Sequence, residues 1–392
     1  MSKLVTHLPA NFTLLQVTPE LETGGAEQTT LDVARAVVRA GGKALVASRG
    51  GRMAARLEAD GGELIAMPAH TKNPLVLFDN AIRLLGVIRD DKVSLIHARS
   101  RAPAFSALWA ARAADVPFIA TYHGVYNAKG GLKRWYNAVM TRGEMVIANS
   151  EFTRQHVIDE HGVDPGKVVA IPRGIDLARF DPAAVSAERV QALRTAWGVD
   201  AGDRRLKVLL AGRLTRWKGQ GLLIDAAARL KAQGEDGFLI LLAGDDQGRS
   251  AYRAELEAAI AAAGLQGAVR IVGHCNDMPA AYLLADVAAA PSLDPEAFGR
   301  TAVEPQVMGR PVLAAAHGAA TETVIDGKTG WLVTPGDAEA WAEALKVAIK
   351  ATPKRRQTMA AAARERACRL YSVEAMCEAT LAVYARVLEA RR

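Results

Sequence analysis

"DVAAAPSLDPEAFGRTAVEPQ", residues 286–306, passes from an unbroken apolar run through a proline- and glycine-bearing turn into a segment of helical character. The apolar part, 286–292, does not alternate with polar residues. Continuous hydrophobicity of this kind belongs to strands covered on both faces, as in a parallel sheet. Working outward, the same unit recurs along the chain. Apolar runs lie at 12–18, 43–48, 93–98, 117–122, 144–150 and 167–172, then at 206–212, 238–244, 268–273, 286–292 and 311–316. Helical patterns such as "AEQTTLDVARAVVRA" and "GLLIDAAARLKAQ" separate them, which gives a repeated β-α order and an α/β fold of doubly wound, Rossmann-like sheets.

The repeat breaks once, over 176–204, where prolines, charges and a short helical stretch stand without a strand. At 392 residues the chain is too long for one core, so two domains are expected. Residues 1–175 form the first and 205–372 the second, with 176–204 connecting them and a terminal helix, 373–392, returning to the first. Ligands of such sheets collect at the carboxyl ends of the strands, and a cleft between the domains is expected there.

Composition narrows the class. Cys275, Cys368 and Cys377 make no CxxC pair or disulfide framework, which suits packing residues in a reducing compartment. The first residues, "MSKLVTHLPANFTLLQV", lack a secretory pattern, and no charge-free apolar run approaches the roughly 18–20 residues of a membrane span. A cytoplasmic protein is expected, peripheral on the inner face of the cytoplasmic membrane if it meets lipid. The net charge of +7 favours an anionic partner: nucleic acid, a phospholipid surface or a phosphorylated small molecule.

Four strand-to-helix turns carry chemistry. Gly24 and Gly25 stand directly before a helix, whose free N–H groups suit a phosphate. GxGxxG is absent, and "DGKTG" (326–330) fails as a P-loop because Glu322 occupies the first glycine position. His123 ends a strand in "TYHG", placed either to donate to a ligand oxygen or simply to pack. "GRLTRWKGQ" sets Arg213 and Lys218 five apart, a cation pair able to neutralise a departing diphosphate. Glu296 and Glu304 stand eight apart around Phe298, Gly299, Arg300 and Thr301. A helix opening near Gly299 would aim N–H groups at an anion, with one carboxylate on either side of it.

Taken together these stretches resemble the family 4 glycosyltransferases, whose signature is E-x7-E enclosing Phe-Gly. The resemblance covers nearly the whole chain: "GGAE", "HG", "NSEFTRQ" (149–155), "IPRGID" (171–176), "GRLTRWKG" and "DGKTGWLV" follow the family order. It implies the GT-B fold and a retaining transfer of sugar from a nucleoside diphosphate. On that resemblance Gly24 and Gly25 approach the donor diphosphate, His123 lies near the transferred sugar, and Arg213 and Lys218 grip the diphosphate. Glu296 meets the sugar, as nucleophile or as positioning group, and Glu304 holds the ribose. Phe298, Gly299, Arg300 and Thr301 meet the distal phosphate and sugar. Arg173 replaces the family's usual asparagine, and Pro305 its usual alanine. No Asp-x-Asp occurs, so neither metal nor other cofactor is expected.

The acceptor is expected on the N-terminal half, at Arg99 and Arg101 of "HARSRAP" and at Lys133 and Arg134 within 127–144, a stretch that also holds Lys129, Arg142, Trp135 and Tyr136. That stretch either rests on anionic headgroups or buries its aromatics against the sheet. A glycan or lipid-linked acceptor in envelope polysaccharide or lipopolysaccharide synthesis is the expected partner. A nonhydrolysing nucleotide-sugar epimerase would share the architecture without needing an acceptor. A basic nucleic-acid-binding protein fits the charge, but no basic-aromatic RNA motif or zinc finger supports it.

Overall fold

The computed structural model describes residues 8–22, 24–126, 130–248 and 250–391. The chain divides into two units, Met1–Gly174 with Val373–Arg392, and Ile175–Ser372.

The first unit holds β1 (Thr13–Val17), β2 (Lys43–Ser48), β3 (Glu63–Ala66), β4 (Leu95–Ala98), β5 (Phe118–Tyr122), β6 (Met145–Ala148) and β7 (Val168–Ala170). They pair in the order β3-β2-β1-β4-β5-β6-β7, every pair parallel. The order reverses between β1 and β4. The helix Gly25–Arg39 and the terminal helix Val373–Glu389 pack on each other, with Cys377 Sγ 3.4 Å from Asp32 O. Helices Pro74–Asp90, Arg101–Ala114 and Gly131–Asn137 enclose a separate core with Leu77, Leu84, Phe105 and Leu108.

The second unit repeats the plan with β8 (Leu206–Ala211), β9 (Phe238–Ala243), β10 (Val269–Gly273), β11 (Val287–Ala290), β12 (Val312–Ala315) and β13 (Gly330–Val333). The order is β10-β9-β8-β11-β12-β13, again wholly parallel. Every residue of β9 is buried, as its uninterrupted Phe-Leu-Ile-Leu-Leu-Ala requires of a central strand. The switch point lies between β8 and β11, where ligands of such sheets bind.

The two doubly wound units match the expected fold class, and all eleven apolar runs form strands. Two further strands, β3 and β13, were missed. Both are four-residue edge strands, too short for a recognisable period, and Glu63 and Ala66 of β3 are exposed. Residues 176–204 are not a free connection. They carry the helix Ala187–Ala196, and Phe180, Trp197 and Val199 are buried in the core of the second unit. Pro305 lies sixth in the eight-residue helix Arg300–Val307, beyond the first turn where proline is ordinarily tolerated. The helix ends two residues later, so few backbone bonds are forfeited.

Candidate active site

In the second unit the turns after β8 and β11 are locked together. Lys218 Nζ lies 2.6 Å from Glu296 Oε1, the side chains only 11% and 17% exposed. Ser292 Oγ donates to the same oxygen at 2.5 Å, and Lys218 Nζ stands 4.4 Å from the Trp217 ring centre. Two glycines make this approach possible. Gly219 has φ +78°, and a Cβ there would lie 2.0 Å from Pro291 O. Gly318 has φ +57°, and its Cβ would meet Glu296 O at 2.7 Å. Ala319 N donates to that same carbonyl at 2.9 Å. The Glu296 backbone is therefore held between the end of β11 and the turn after β12. A pocket opens beside it, lined by Ser292, Glu296, Gly299, Thr301, Ala302 and His317 among others.

The helix Arg300–Val307 begins at this pocket. Its N-cap Gly299 has φ +73° and no side chain caps it, so its positive end suits an anion. Glu304 sits deeper, 9% exposed. Arg300 Nε donates to Glu304 Oε1 at 2.8 Å and Tyr282 Oη donates to Oε2 at 3.1 Å. Burial, then the Glu304 charge, raises the Tyr282 pKa well above its ordinary value, so the phenol remains a donor. Phe298 is buried, its ring 5.8 Å from that of Tyr371; its side chain is core, and only its backbone can face a ligand. Arg213 is exposed, whereas Lys218 is built into the pocket's edge. Arg216, between them, pairs with Glu255 at 2.7 Å.

In the first unit Gly24 and Gly25 open the helix Gly25–Arg39 after β1, and His123 follows β5. Arg173, after β7, joins the two places. Its Nη1 would lie 1.9 Å from a Cβ on Gly25, and its Nη2 donates to His123 O at 3.3 Å and stands 3.5 Å from His123 Nδ1. A guanidinium only donates, so Nδ1 accepts and Nε2 carries the hydrogen. Among the described residues that buried Nε2 has no hydrogen-bond partner. Burial foremost, then Arg173 and Arg99, holds the His123 pKa well below the usual histidine range, which keeps the ring neutral.

The expected acceptor cations fare unevenly. Arg99 is not on a docking surface: it is 2% exposed, bonded to Gln16 Oε1 at 2.8 Å and to Thr121 Oγ1 at 3.2 Å. It directly follows β4, and its polar partners on β1 and β5 hold it inward. Arg101 is half-buried, stacked 3.9 Å over Tyr126 and bonded to Asn137 Oδ1 at 2.8 Å. Arg134 is held by Glu160, at 3.0 Å to its carboxylate and 2.8 Å to its carbonyl. Lys133 is exposed, and Lys129 lies outside the described residues.

Sequence reasoning did not single out Ser292 or His317, both pocket residues. His317 Nε2 is 2.8 Å from Ser292 O. Its signal was available: "HG" follows β12 as "HG" follows β5.

Comparison with known proteins shows what the chain is similar to. The family model for glycosyl transferases group 1 matches residues 197–366, and that for glycosyltransferase family 4 matches 23–179. A D-inositol 3-phosphate glycosyltransferase of Salinispora arenicola is 33% identical over 262 residues, 64% of this chain and 57% of that protein. The chain thus spans little more than half the length of this curated relative. The crystal structure of a Rickettsia africae glycosyltransferase superposes with a TM-score of 0.87 at 32% identity, covering 96% of this chain and 99% of that one. Anabaena HepE in complex with UDP-glucose gives 0.77 at 25% identity, covering 97% and 100%.

Proposed function

From the premise that this chain belongs to the family 4, group 1 glycosyltransferases, with the GT-B fold, we propose that it transfers a sugar from a nucleoside diphosphate to an acceptor hydroxyl. The observation that carries the reading is the buried Lys218–Glu296 pair beside the uncapped helix Arg300–Val307. As the bond from the anomeric carbon to the diphosphate breaks, negative charge grows on the leaving oxygens. Lys218 and the helix N-terminus are preorganised to receive that charge, with exposed Arg213 able to swing onto it. Glu304, fixed by Arg300 and Tyr282, offers its remaining lone pairs to the ribose.

Glu296 is read as a positioning group. Its Oε1 already accepts from Lys218 and Ser292, which leaves a carboxylate poorly suited to attack carbon and well placed to orient sugar hydroxyls. Transfer then retains the anomeric configuration, with the acceptor hydroxyl arriving on the leaving-group face, and charge neutralisation by side chain and backbone makes the reaction independent of added metal. Residues Gly24 and Gly25 meet the diphosphate and His123 Nε2 donates to the sugar. The donor is read as a UDP-sugar, since a neighbour of this fold holds UDP-glucose.

A glycan or lipid-linked acceptor of the cell envelope remains the reading of the acceptor. A second, a small phosphorylated polyol, is favoured by Arg173, which brings a cation to Gly25 and His123. The test is a donor and acceptor panel in chelator. UDP release that requires acceptor, with product of retained configuration, supports the reading. Interconversion of the donor sugar without acceptor would assign an epimerase instead.

A further inference from the structure

Most large apolar side chains are out of water, yet six exposed ones fall on three neighbouring helices of the first unit. Leu75, Phe78 and Ile82 (80%, 62% and 56% exposed) lie on Pro74–Asp90, Trp109 (41%) on Arg101–Ala114, and Leu132 and Trp135 (88% and 55%) on Gly131–Asn137. On the first helix they recur at i, i+3 and i+7, a stripe rotated away from the buried Leu77, Ala81, Leu84 and Ile88. The helices are fixed side by side: Ser106 Oγ donates to Leu77 O at 2.7 Å. Phe105 carries both tryptophans, its ring 6.2 Å from Trp109 and 5.5 Å from Trp135. A grouped apolar surface of this kind is unusual on a protein that meets only water.

On two of the three helices the charge has one sign. Helices Arg101–Ala114 and Gly131–Asn137 contain no aspartate or glutamate, and they and the turn that follows bring Arg112, Lys133 and Arg142 to the surface. Arg142 lies 5.3 Å from the Trp135 ring centre. A surface cavity of about 340 Å³ is lined by Arg112, Arg142 and Lys167 among others. The two carboxylates at its rim, Asp115 and Glu144, are both paired with Arg391, at 3.2 and 2.7 Å. Asp79 and Asp90 on the first helix are the acids nearest the apolar stripe in sequence. Among the described residues no helix is long and apolar enough to cross a membrane.

We propose that this three-helix face docks on an anionic lipid bilayer. Leu75, Phe78, Leu132, Trp109 and Trp135 enter the boundary between headgroups and acyl chains, while Arg112, Lys133, Arg142 and Lys167 meet lipid phosphates. The proposal sharpens the reading of a lipid-linked acceptor but does not need it, because vesicles without donor or acceptor test it alone.

The full chain is sedimented with vesicles of phosphatidylcholine or of an equimolar phosphatidylcholine–phosphatidylglycerol mixture, at low and high salt. The expected result is binding to the anionic vesicles only, weakened by salt, with a blue shift of tryptophan emission. Lys133→Glu with Arg142→Glu should weaken binding about tenfold or more. Leu132→Ser with Trp135→Ser should remove both binding and the blue shift, and Lys328→Glu, on the second unit, should change neither. Circular dichroism checks that each variant is folded. Absence of binding to anionic vesicles, or equal binding by the double variants, overturns the proposal. So does a dimer that Phe78→Ser dissociates without any vesicle effect, which would give the face to a second copy. Loss of transferase activity with vesicle binding intact would instead strike only the functional reading.

Discussion

Lys218 Nζ and Glu296 Oε1 are 2.6 Å apart and mostly buried, joining the turns that follow two adjacent strands at the switch point of the second sheet. Lys218→Ala removes the charge aimed at the leaving group and should lower kcat by about 10²–10³. Glu296→Ala should cost as much, because it frees Lys218 and removes the oxygen that orients the sugar. The two losses should not add in the double variant, since each residue holds the other. Steady-state kinetics on all three variants checks this. Near wild-type turnover in both single variants would move the chemistry elsewhere.

Glu304 makes a different prediction. Its oxygens are engaged by Arg300 and Tyr282, and it lies inside a helix rather than on the pocket wall. Tyr282→Phe removes one neutral donor, worth about 0.5–1.5 kcal/mol, and leaves the carboxylate freer to turn. Donor KM should rise several-fold with little change in kcat, as expected of ground-state ribose binding. A drop in kcat at constant KM contradicts the ribose role.

The strands that place these groups were legible because a central parallel strand, covered on both faces, is apolar along most of its length: β9 and β11 are so throughout, and β8 departs only at half-buried Lys207. Edge strands escape that demand: β3 needs only half its side chains covered, and β13 begins with a glycine. The residues 176–204 misled for the opposite reason, since Phe180 and Trp197 are isolated large apolar residues in a polar stretch and show no period. At the site, Glu296, Lys218 and Gly299 were readable from spacing. Arg99 was not, because whether a strand-end arginine faces water or Gln16 depends on the neighbouring strand, which the local sequence does not contain. Ser292 was missed because a serine is informative only once the fold puts it on a pocket wall, whereas His317 carried a readable signal in the "HG" that follows β12.

Glycine geometry offers a paired test within one turn. Gly219 has φ +78° and faces Pro291 O so closely that any Cβ would lie 2.0 Å away, whereas a Cβ on Gly221 meets nothing within 4 Å. Gly219→Ala should therefore push the turn off β11, destabilise the protein by about 1–3 kcal/mol and shift Lys218 from Glu296. Gly221→Ala, in the first turn of the helix Gln220–Ala232, should be neutral or stabilising by up to about 1 kcal/mol. Urea unfolding with activity assays separates the two. Equal effects would mean the turn is not held as described.

A buried histidine links the first sheet to the terminal helix and gives the fold a pH dependence. His97 is fully buried, with Nδ1 2.7 Å from Tyr384 Oη and Nε2 2.7 Å from Thr121 Oγ1. Burial foremost, then Arg99 and His123, holds its pKa well below the ordinary 6.5. Above that value both folded and unfolded chains carry a neutral ring, and stability does not depend on this group. As pH falls below 6.5 the unfolded chain gains a proton that the folded chain refuses, so stability declines by about 1.4 kcal/mol per pH unit until the folded pKa is reached. Denaturant unfolding of the wild type between pH 7.5 and pH 5 should show that slope, roughly, on top of other titrations. In His97→Gln, which keeps polar contacts to Thr121 and Tyr384 without a titrating ring, the slope should be shallower by about the same amount. An unchanged slope would mean that the imidazole takes up its proton within the folded protein.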